Sequence, residues 1–378
     1  MFTMKLDQKY YNYILNGTKE YEIRLNDEKR RLLKKGDFIK FQNVSNESDY
    51  FIAQVDDLLY FNNFLEVINS IDIKKLSDKN DTALKLMNAL NHFYSKESQE
   101  KYGVVAIKLN KNIIIKQNLS DINYDDEIFN YLKKNYSDFK EWFKKLVLND
   151  EICYITKHNG QITSILIIKM DEKDSKQVHL DGKIMKIRTL LVSLKNKGIG
   201  TRYIKLVNEL AKQNEVNHIY ITCKKNNLEM INFLNKRNFK YYDDYFDEKV
   251  FYQEVMSTIL MSIKPEYVEK LFNGTKKYEY RKKRCKKNID KIIVYSTNPV
   301  KKVVGELEIE DILEDNKEVI WEETKLYSGI VKEKYDSYFK KEDTAVAYKI
   351  KSYKLYDNKK ELSDFNIKAS PQSYVYIK

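Results

Sequence analysis

A nine-residue phrase occurs twice in this chain. Asn16-Gly17-Thr18-Lys19-Glu20-Tyr21-Glu22-Ile23-Arg24 returns as Asn273-Gly274-Thr275-Lys276-Lys277-Tyr278-Glu279-Tyr280-Arg281, with seven of the nine positions identical. The register extends upstream: Met4-Lys5-Leu6 aligns with Met261-Ser262-Ile263, and Tyr10 with Tyr267. Stacked solenoids need at least three units, because one unit cannot bury its apolar face by itself. Two distant copies instead imply a duplicated domain with a separate segment enclosed between them. A length of 378 residues suits two or three cores rather than one.

Hydrophobic residues at 42% suffice for packed interiors, so wholesale disorder is excluded despite 33% charged residues. The net charge of +12 favours an anionic partner: RNA, DNA or a phosphorylated cofactor. A solvated lysine-rich surface is the plainer alternative. Thirty tyrosines and seventeen phenylalanines supply stacking faces, although most such rings belong to cores. Cys153, Cys223 and Cys285 form no CxxC pair, which argues against a disulfide framework and a structural zinc site. His92, His158, His179 and His218 show no ligand spacing, so no metal is expected. No apolar stretch approaches membrane-spanning length and the N-terminus lacks an apolar signal core. A soluble, cytoplasmic protein without membrane contact is the expectation.

In the first segment, a strand at 2–6 leads into a helix over 7–16, with Asp7 as its cap and Gly17 ending it. Tyr21–Leu25 alternates like a strand; further strands are expected at 38–42, 51–59 and 102–109, with a helical stretch before the last. From about Lys111 strands and helices alternate, which indicates an α/β segment with some parallel pairing. The third segment begins near Met256 and mixes strands with helices around Trp321 and Tyr335.

The enclosed segment has its own signature. Lys195-Asn196-Lys197-Gly198-Ile199-Gly200-Thr201 lies between an expected strand, Lys186–Ser193, and a helix, Ile199–Gln213. Glycines at 198 and 200 allow consecutive amides to point into one concavity, and the helix N-terminus adds partial positive charge. A pyrophosphate suits such a turn; a tight connection with no ligand is the bland alternative. The order of strand, KxxGxG turn, helix, strand, Asn227 and a helix ending Leu234-Asn235-Lys236-Arg237-Asn238-Phe239 resembles the GNAT acetyltransferase superfamily over roughly 111–254. Lys195 stands where that family usually has Gln or Arg, while Gly198 and Gly200 match.

The resemblance implies acetyl-CoA as acyl donor. Leu191 and Val192 at the strand end would hold the pantetheine arm, and the stretch Lys195, Asn196, Lys197, Gly198, Ile199, Gly200 and Thr201 the pyrophosphate. Asn227 would also contact the cofactor, and a backbone amide near Val192 would stabilise the oxyanion as an amine attacks the thioester. Many members carry a tyrosine in the last helix as general acid; Leu234 occupies that position here. Tyr241 and Tyr242 are substitutes by proximity in sequence, and His179 and Asp181 are candidates for the base.

The repeated Gly-Thr-Lys-x-Tyr-Glu-x-Arg resembles the ASCH domain, a small β-barrel of the PUA-like superfamily. In the first copy the match continues through Leu25-Asn26-Asp27-Glu28-Lys29-Arg30 and Tyr102-Gly103-Val104-Val105; the second copy diverges after its opening phrase. Strand alternation puts Lys19, Tyr21 and Ile23 on one face and Glu20, Glu22 and Arg24 on the other. Lys19, Glu22 and Arg24, with Lys276, Glu279 and Arg281, are candidates to hold a phosphate and read a base edge. A fold-determining helix–glycine–strand corner is the rival explanation for the repeat. Some bacterial ASCH proteins resemble amidohydrolases that act on acetylated cytidine with a lysine and a threonine on this strand. Glu22 and Glu279 replace that threonine, which disfavours hydrolysis.

The expected architecture is multidomain, α/β and α+β: a central GNAT fold with a mixed sheet at 111–255, flanked by PUA-like (ASCH) β-barrel domains at 1–110 and 256–378. The expected function is acetyl-CoA-dependent N-acetylation of an RNA or nucleotide-containing substrate bound by the flanks. A non-enzymatic RNA- or nucleotide-binding regulator with a degenerate GNAT scaffold is the competing class, and the Leu234 departure is its support.

Overall fold

The computed structural model describes residues 1–78, 80–170, 176–195 and 197–377. Packing divides the chain into two compact units. One comprises Met1–His179, Ile184–Leu210 and Tyr220–Tyr252; the other comprises Leu180–Lys183, Ala211–Ile219 and Gln253–Lys378.

The first unit opens with β1 (Phe2–Leu6), the helix Gln8–Leu15, β2 (Tyr21–Leu25), β3 (Phe38–Asn43), β4 (Tyr50–Phe61) and β5 (Val104–Leu109). β1 lies parallel to β3, β3 pairs with the start of β4, and the rest of β4 pairs with β5, which carries β2 on its other edge. The handover occurs at a bulge between Val55 and Asp57, the device that lets one strand bend and serve two directions. Phe41, Phe51, Ile39 and Val105 fill the interior with no exposed surface. Each buried ring or branched chain contributes roughly 1.5–3 kcal/mol. Asp7 does precede the first helix, but its side chain makes no capping hydrogen bond, contrary to expectation. Gly17, at φ +76°, ends that helix as expected.

The sheet continues through β6 (Ile114–Asn118), β7 (Ile152–His158), β8 (Gln161–Met170) and β9 (Ile184–Val192). It then runs to β10 (His218–Lys224), β12 (Glu248–Glu254) and β11 (Lys240–Tyr245), so the last two are out of chain order. β6 to β9 pair antiparallel. The helices Asn130–Asn135 and Phe139–Leu148 pack an aromatic cluster of Phe129, Phe139 and Phe143 against Ile155, Ile165 and Ile167.

In the other unit β13 (Ser257–Ile263), β14 (Tyr278–Arg281), β15 (Ile289–Ser296), β16 (Lys302–Asn316), β17 (Thr344–Lys360) and β18 (Tyr374–Tyr376) form a six-stranded sheet. Its order, β14-β17-β16-β15-β13, repeats the order β2-β5-β4-β3-β1, including the parallel first pair. Shared topology on shared sequence makes the duplication structural. Among the described residues no helix is long and apolar enough to cross a membrane.

Candidate functional site

In the first unit a cavity of about 1110 Å³ opens where β9 gives way to the glycine turn. Of the residues proposed for the cofactor, Leu191, Val192, Lys195, Gly198, Ile199, Gly200, Thr201 and Asn227 line it. Asn196 lies outside the described residues. Lys197 is exposed and does not line the cavity.

Gly198 has φ +70°, and a Cβ there would meet nothing within 4 Å, so the backbone is bare on that side. Gly200 is needed for another reason: its absent Cβ would lie 3.1 Å from the Phe233 ring. The helix Ile199–Gln213 begins at this turn, with Arg202 N–H donating to Gly198 O at 3.0 Å. Arg237 Nε donates to Thr201 Oγ1 at 3.1 Å, and its guanidinium lies 4.9 Å from the Phe233 ring centre. Lys195 pairs with Glu229 at 2.6 Å in the open. Bare backbone, a helix N-terminus and the cations Lys195, Lys236 and Arg237 fit a pyrophosphate-bearing ligand.

Asn227 caps the helix Leu228–Asn235: its Oδ1 accepts from Met230 N–H, which orients its Nδ2 to donate to Tyr131 Oη at 2.9 Å. Tyr131 of the helix Asn130–Asn135 and Tyr136 at its C-cap form one wall together with Glu248 of β12, and Tyr136 Oη donates to Glu248 Oε1 at 2.8 Å. The register of β8 and β9 shifts between Ile167↔Thr189 and Ile168↔Ile187. Arg188, four positions before Val192, therefore has no Cα partner on β8, as at a bulge. Arg188 pairs with Glu151 at 2.6 Å. Thr189 Oγ1 is buried in the cavity wall without a hydrogen-bond partner.

The proposed acid and base candidates fall elsewhere. Tyr242 Oη accepts from His179 N–H and donates to His179 O, and Tyr241 Oη donates to Asp244; none of these three residues lines the cavity. Asp181 O contacts the His218 ring at 2.9 Å. Leu234 is fully buried in the core, so nothing at that position reaches the cavity. Tyr131, Tyr136, Thr189 and Glu248 escaped sequence reasoning because they stand on remote elements. The closest thing to a signal was the run of aromatic residues Tyr131, Tyr136, Phe139 and Trp142 in a lysine-rich stretch of sequence.

The Lys–Glu–Arg set forms an ion triad in each copy. In the first, Lys19 Nζ lies 3.2 Å and Arg24 Nε 2.8 Å from the Glu22 carboxylate. Arg24 also donates to Lys5 O at 2.7 Å and Tyr94 Oη at 3.3 Å. β2 begins only at Tyr21, so Lys19 escapes the strand's alternation. The expected separation of Lys19 from Glu22 and Arg24 onto opposite faces is thereby corrected: the structure brings all three together. Burial works to raise the Glu22 carboxyl, but Lys19 and Arg24 outweigh it and hold the group below its ordinary range. In the second copy Arg281 lies 3.0 Å and Lys276 3.8 Å from Glu279, and Arg281 donates to Ser262 O at 2.8 Å. Lys276 Nζ donates to Ser328 O at 3.0 Å. Burial lowers the Lys276 ammonium to about 8, against the pull of Glu279. All four Lys and Glu side chains are buried, so these are not exposed ladders.

A family model for the ASCH domain matches residues 4–113 and 261–354, more than half of the chain. A second, for the acetyltransferase (GNAT) family, matches residues 116–239. The chain belongs to the ASCH family, with a GNAT acetyltransferase domain between its two ASCH domains. This ASCH–GNAT–ASCH chain is 33% identical over 127 residues to the large ribosomal subunit protein uL22 of Ureaplasma parvum serovar 3, covering 33% of this chain and 41% of that protein. It is 32% identical over 122 residues to the ATP synthase subunit alpha of the same organism, covering 32% and 15%. The chain thus spans less than half the length of these curated relatives. Similar solved structures include an ASCH protein from Zymomonas mobilis, at 21% identity, 32% and 88% coverage and a TM-score of 0.31. A GNAT acetyltransferase from Elizabethkingia anophelis with acetyl-CoA bound shares 16% identity, with 37% and 97% coverage and a TM-score of 0.27.

Proposed function

We propose that the chain is an acetyl-CoA-dependent N-acetyltransferase whose ASCH domains bind an RNA or nucleotide-containing substrate, with domains at 1–110, 111–255 and 256–378. The carrying observation is the bare backbone of Gly198, facing open space at the N-terminus of a fifteen-residue helix and lining a cavity large enough for a cofactor. Leu191 and Val192 at the end of β9 would border the pantetheine arm, with Lys195, Thr201 and the turn amides at the phosphates. When bound, acetyl-CoA supplies an activated acyl group. A backbone amide near Val192, four residues beyond the register shift at Arg188, would donate to developing negative charge.

Acetyl-CoA should raise the melting temperature of the purified chain, and Gly198→Val with Gly200→Val should abolish that rise. No shift in the wild type would sink the cofactor reading.

For the flanks, support comes from the net charge of +12 and from the duplicated triads. Because Lys19 and Glu22, like Lys276 and Glu279, are buried and each set is paired with a half-buried arginine, Arg24 or Arg281, we assign them to shaping a binding cleft rather than to gripping phosphate directly. Phosphate contacts would fall to exposed lysines. RNA affinity should therefore drop steeply with salt, and a salt-insensitive interaction would point to a free nucleoside. The non-enzymatic reading is favoured by one observation, the burial of Leu234. It predicts acetyl-CoA binding without turnover for any amine.

A further inference from the structure

The two ASCH domains differ in what covers one edge of their sheets. In the first, the start of β4 carries β3 on one side and β6 on the other, with Phe51 opposite Ile115. In the second, the start of β16 carries β15 and the far half of β17, with Gly305 opposite Leu355. Farther along, Leu58 opposite Ile107 corresponds to Ile312 opposite Tyr348, so Leu355 takes the sheet position of Ile115. In the first domain β7 then occupies the outer edge of β6 and sets Ile155 opposite Ile115. No strand does this for β17. β14 pairs with it only over Val346–Lys349, and Ile350 N–H donates to Lys277 O at 2.9 Å. Beyond Ile350, among the described residues, the β17 backbone pairs with β16 alone.

An open edge presents unpaired N–H and C=O groups to any strand that can meet its side chains. The regular ladder from Ser352 to Leu355 puts Tyr353 and Leu355 on one face and Ser352 and Lys354 on the other. Leu355 is 59% exposed and Tyr353 47%, the latter held edge-on 5.9 Å from the Phe272 ring. Ile115, by contrast, is half-buried against Ile155, Ile165 and Ile167. Residues 351–360 carry four lysines and one aspartate. Lys349 pairs with Glu310 at 3.2 Å, but Lys351, Lys354 and Lys359 have no ion pair among the described residues. Two such edges from two copies would set lysine against lysine, which disfavours self-pairing. The same charges attract carboxylates.

We infer that the free edge of β17, at residues 352–356, docks an extended segment of a partner protein in which carboxylate and apolar side chains alternate. Backbone pairing extends the second sheet there as β7 extends the first. The partner's apolar side chains cover Tyr353 and Leu355, as Ile155 stands opposite Ile115. Its carboxylates, on the other face, meet Lys354. A nucleic-acid strand would engage the lysines but leave the backbone groups and Leu355 unmatched.

Fluorescence anisotropy of the full chain with a labelled peptide of alternating Glu and Val reads the docking directly. Saturable binding is expected, with amide exchange slowed at residues 352–356 and unchanged in the first domain. Lys354→Glu should weaken this peptide about tenfold and favour one of alternating Lys and Val. Because Lys354 is exposed, K354E should melt as the wild type does. Methylating the peptide's backbone nitrogens should abolish binding at unchanged side-chain charge, since the ladder bonds are lost. Absence of saturation, slowed exchange elsewhere, or full binding by the methylated peptide would overturn the proposal. A dimer that Leu355→Lys dissolves would make a second copy the occupant and overturn it equally. If oligouridylate slows exchange at residues 352–356 and the peptide does not, the occupant is nucleic acid and the proposal falls.

Discussion

The two ASCH domains use the same nine-residue phrase, and the two positions at which the phrase differs face the parts of each domain that are not shared. In both copies the asparagine accepts from the backbone and hydroxyl of the threonine two residues on, around a glycine at φ +76° or +79°. The following lysine N–H then closes onto the preceding helix at 2.9 Å. The conserved half of the phrase is therefore a corner, and the lysine, glutamate and arginine are the triad that the corner presents.

The variable positions are domain-specific. Ile23 packs with Phe64, Val67 and Leu86 from helices inserted between β4 and β5, whereas Tyr280 packs with Ile320, Trp321 and Tyr335 and donates to Thr324 Oγ1 at 2.7 Å. Glu20 pairs with Lys111 at 3.2 Å, while Lys277 lies 4.0 Å over the Tyr327 ring. Duplication preserved what builds the corner and released what meets the insertion.

The domains also hold their lysines differently. Lys19 sits close to Glu22, while Lys276 is 3.8 Å from Glu279 and leans on a backbone carbonyl of the segment that covers it. Removing the carboxylate should have the largest effect in both: Glu22→Ala and Glu279→Ala each leave a buried lysine and a half-buried arginine without their carboxylate, costing about 3–5 kcal/mol in urea unfolding. Lys276→Met should cost much less than Lys19→Met, because the Lys276 ammonium already suffers most from burial. Equal losses would break the comparison.

The pH dependence should differ in the same sense. Lys276 titrates near 8 when folded and at 10.5 when unfolded, so between these values the unfolded chain binds more protons. The stability of the second domain should rise with pH across that window, and K276M should flatten the rise. Glu22 gives the first domain an acid limb instead. Its contribution is present above the ordinary carboxyl value of 4.5 and is lost as pH falls through the lowered folded value. Titration followed by domain-resolved hydrogen exchange would separate the two limbs.

Gly329→Ala should be smaller, at about 1–3 kcal/mol by thermal melting. Its Cβ would fall 2.6 Å from Lys276 Cβ at a φ of +66°, so it would displace the cover over the lysine. The smallest effect is expected from Thr82→Ala, which removes the side-chain cap of the helix Ala83–Phe93 and should cost about 1 kcal/mol. Exchange should accelerate in that helix and leave the second domain unchanged.

Local pattern carried much of this molecule. The repeat, the glycine corner, the strand Tyr21–Leu25 and the Lys195–Thr201 turn all depend on short-range rules: which residues tolerate positive φ, which alternate, and which free a helix N-terminus. The strand β17 runs seventeen residues, Thr344–Lys360, because its far half pairs with β16, a long-range partner its own sequence does not announce.

The repeat and the glycine turn, with the two family resemblances they carry, were determined by sequence. Only tertiary structure decided what the repeated charges do, since a lysine outside a strand obeys no alternation and its partner is chosen by burial. The Tyr131–Tyr136–Glu248 wall was likewise a tertiary decision. Its members are brought together by sheet order and helix packing, and no sequence period links them.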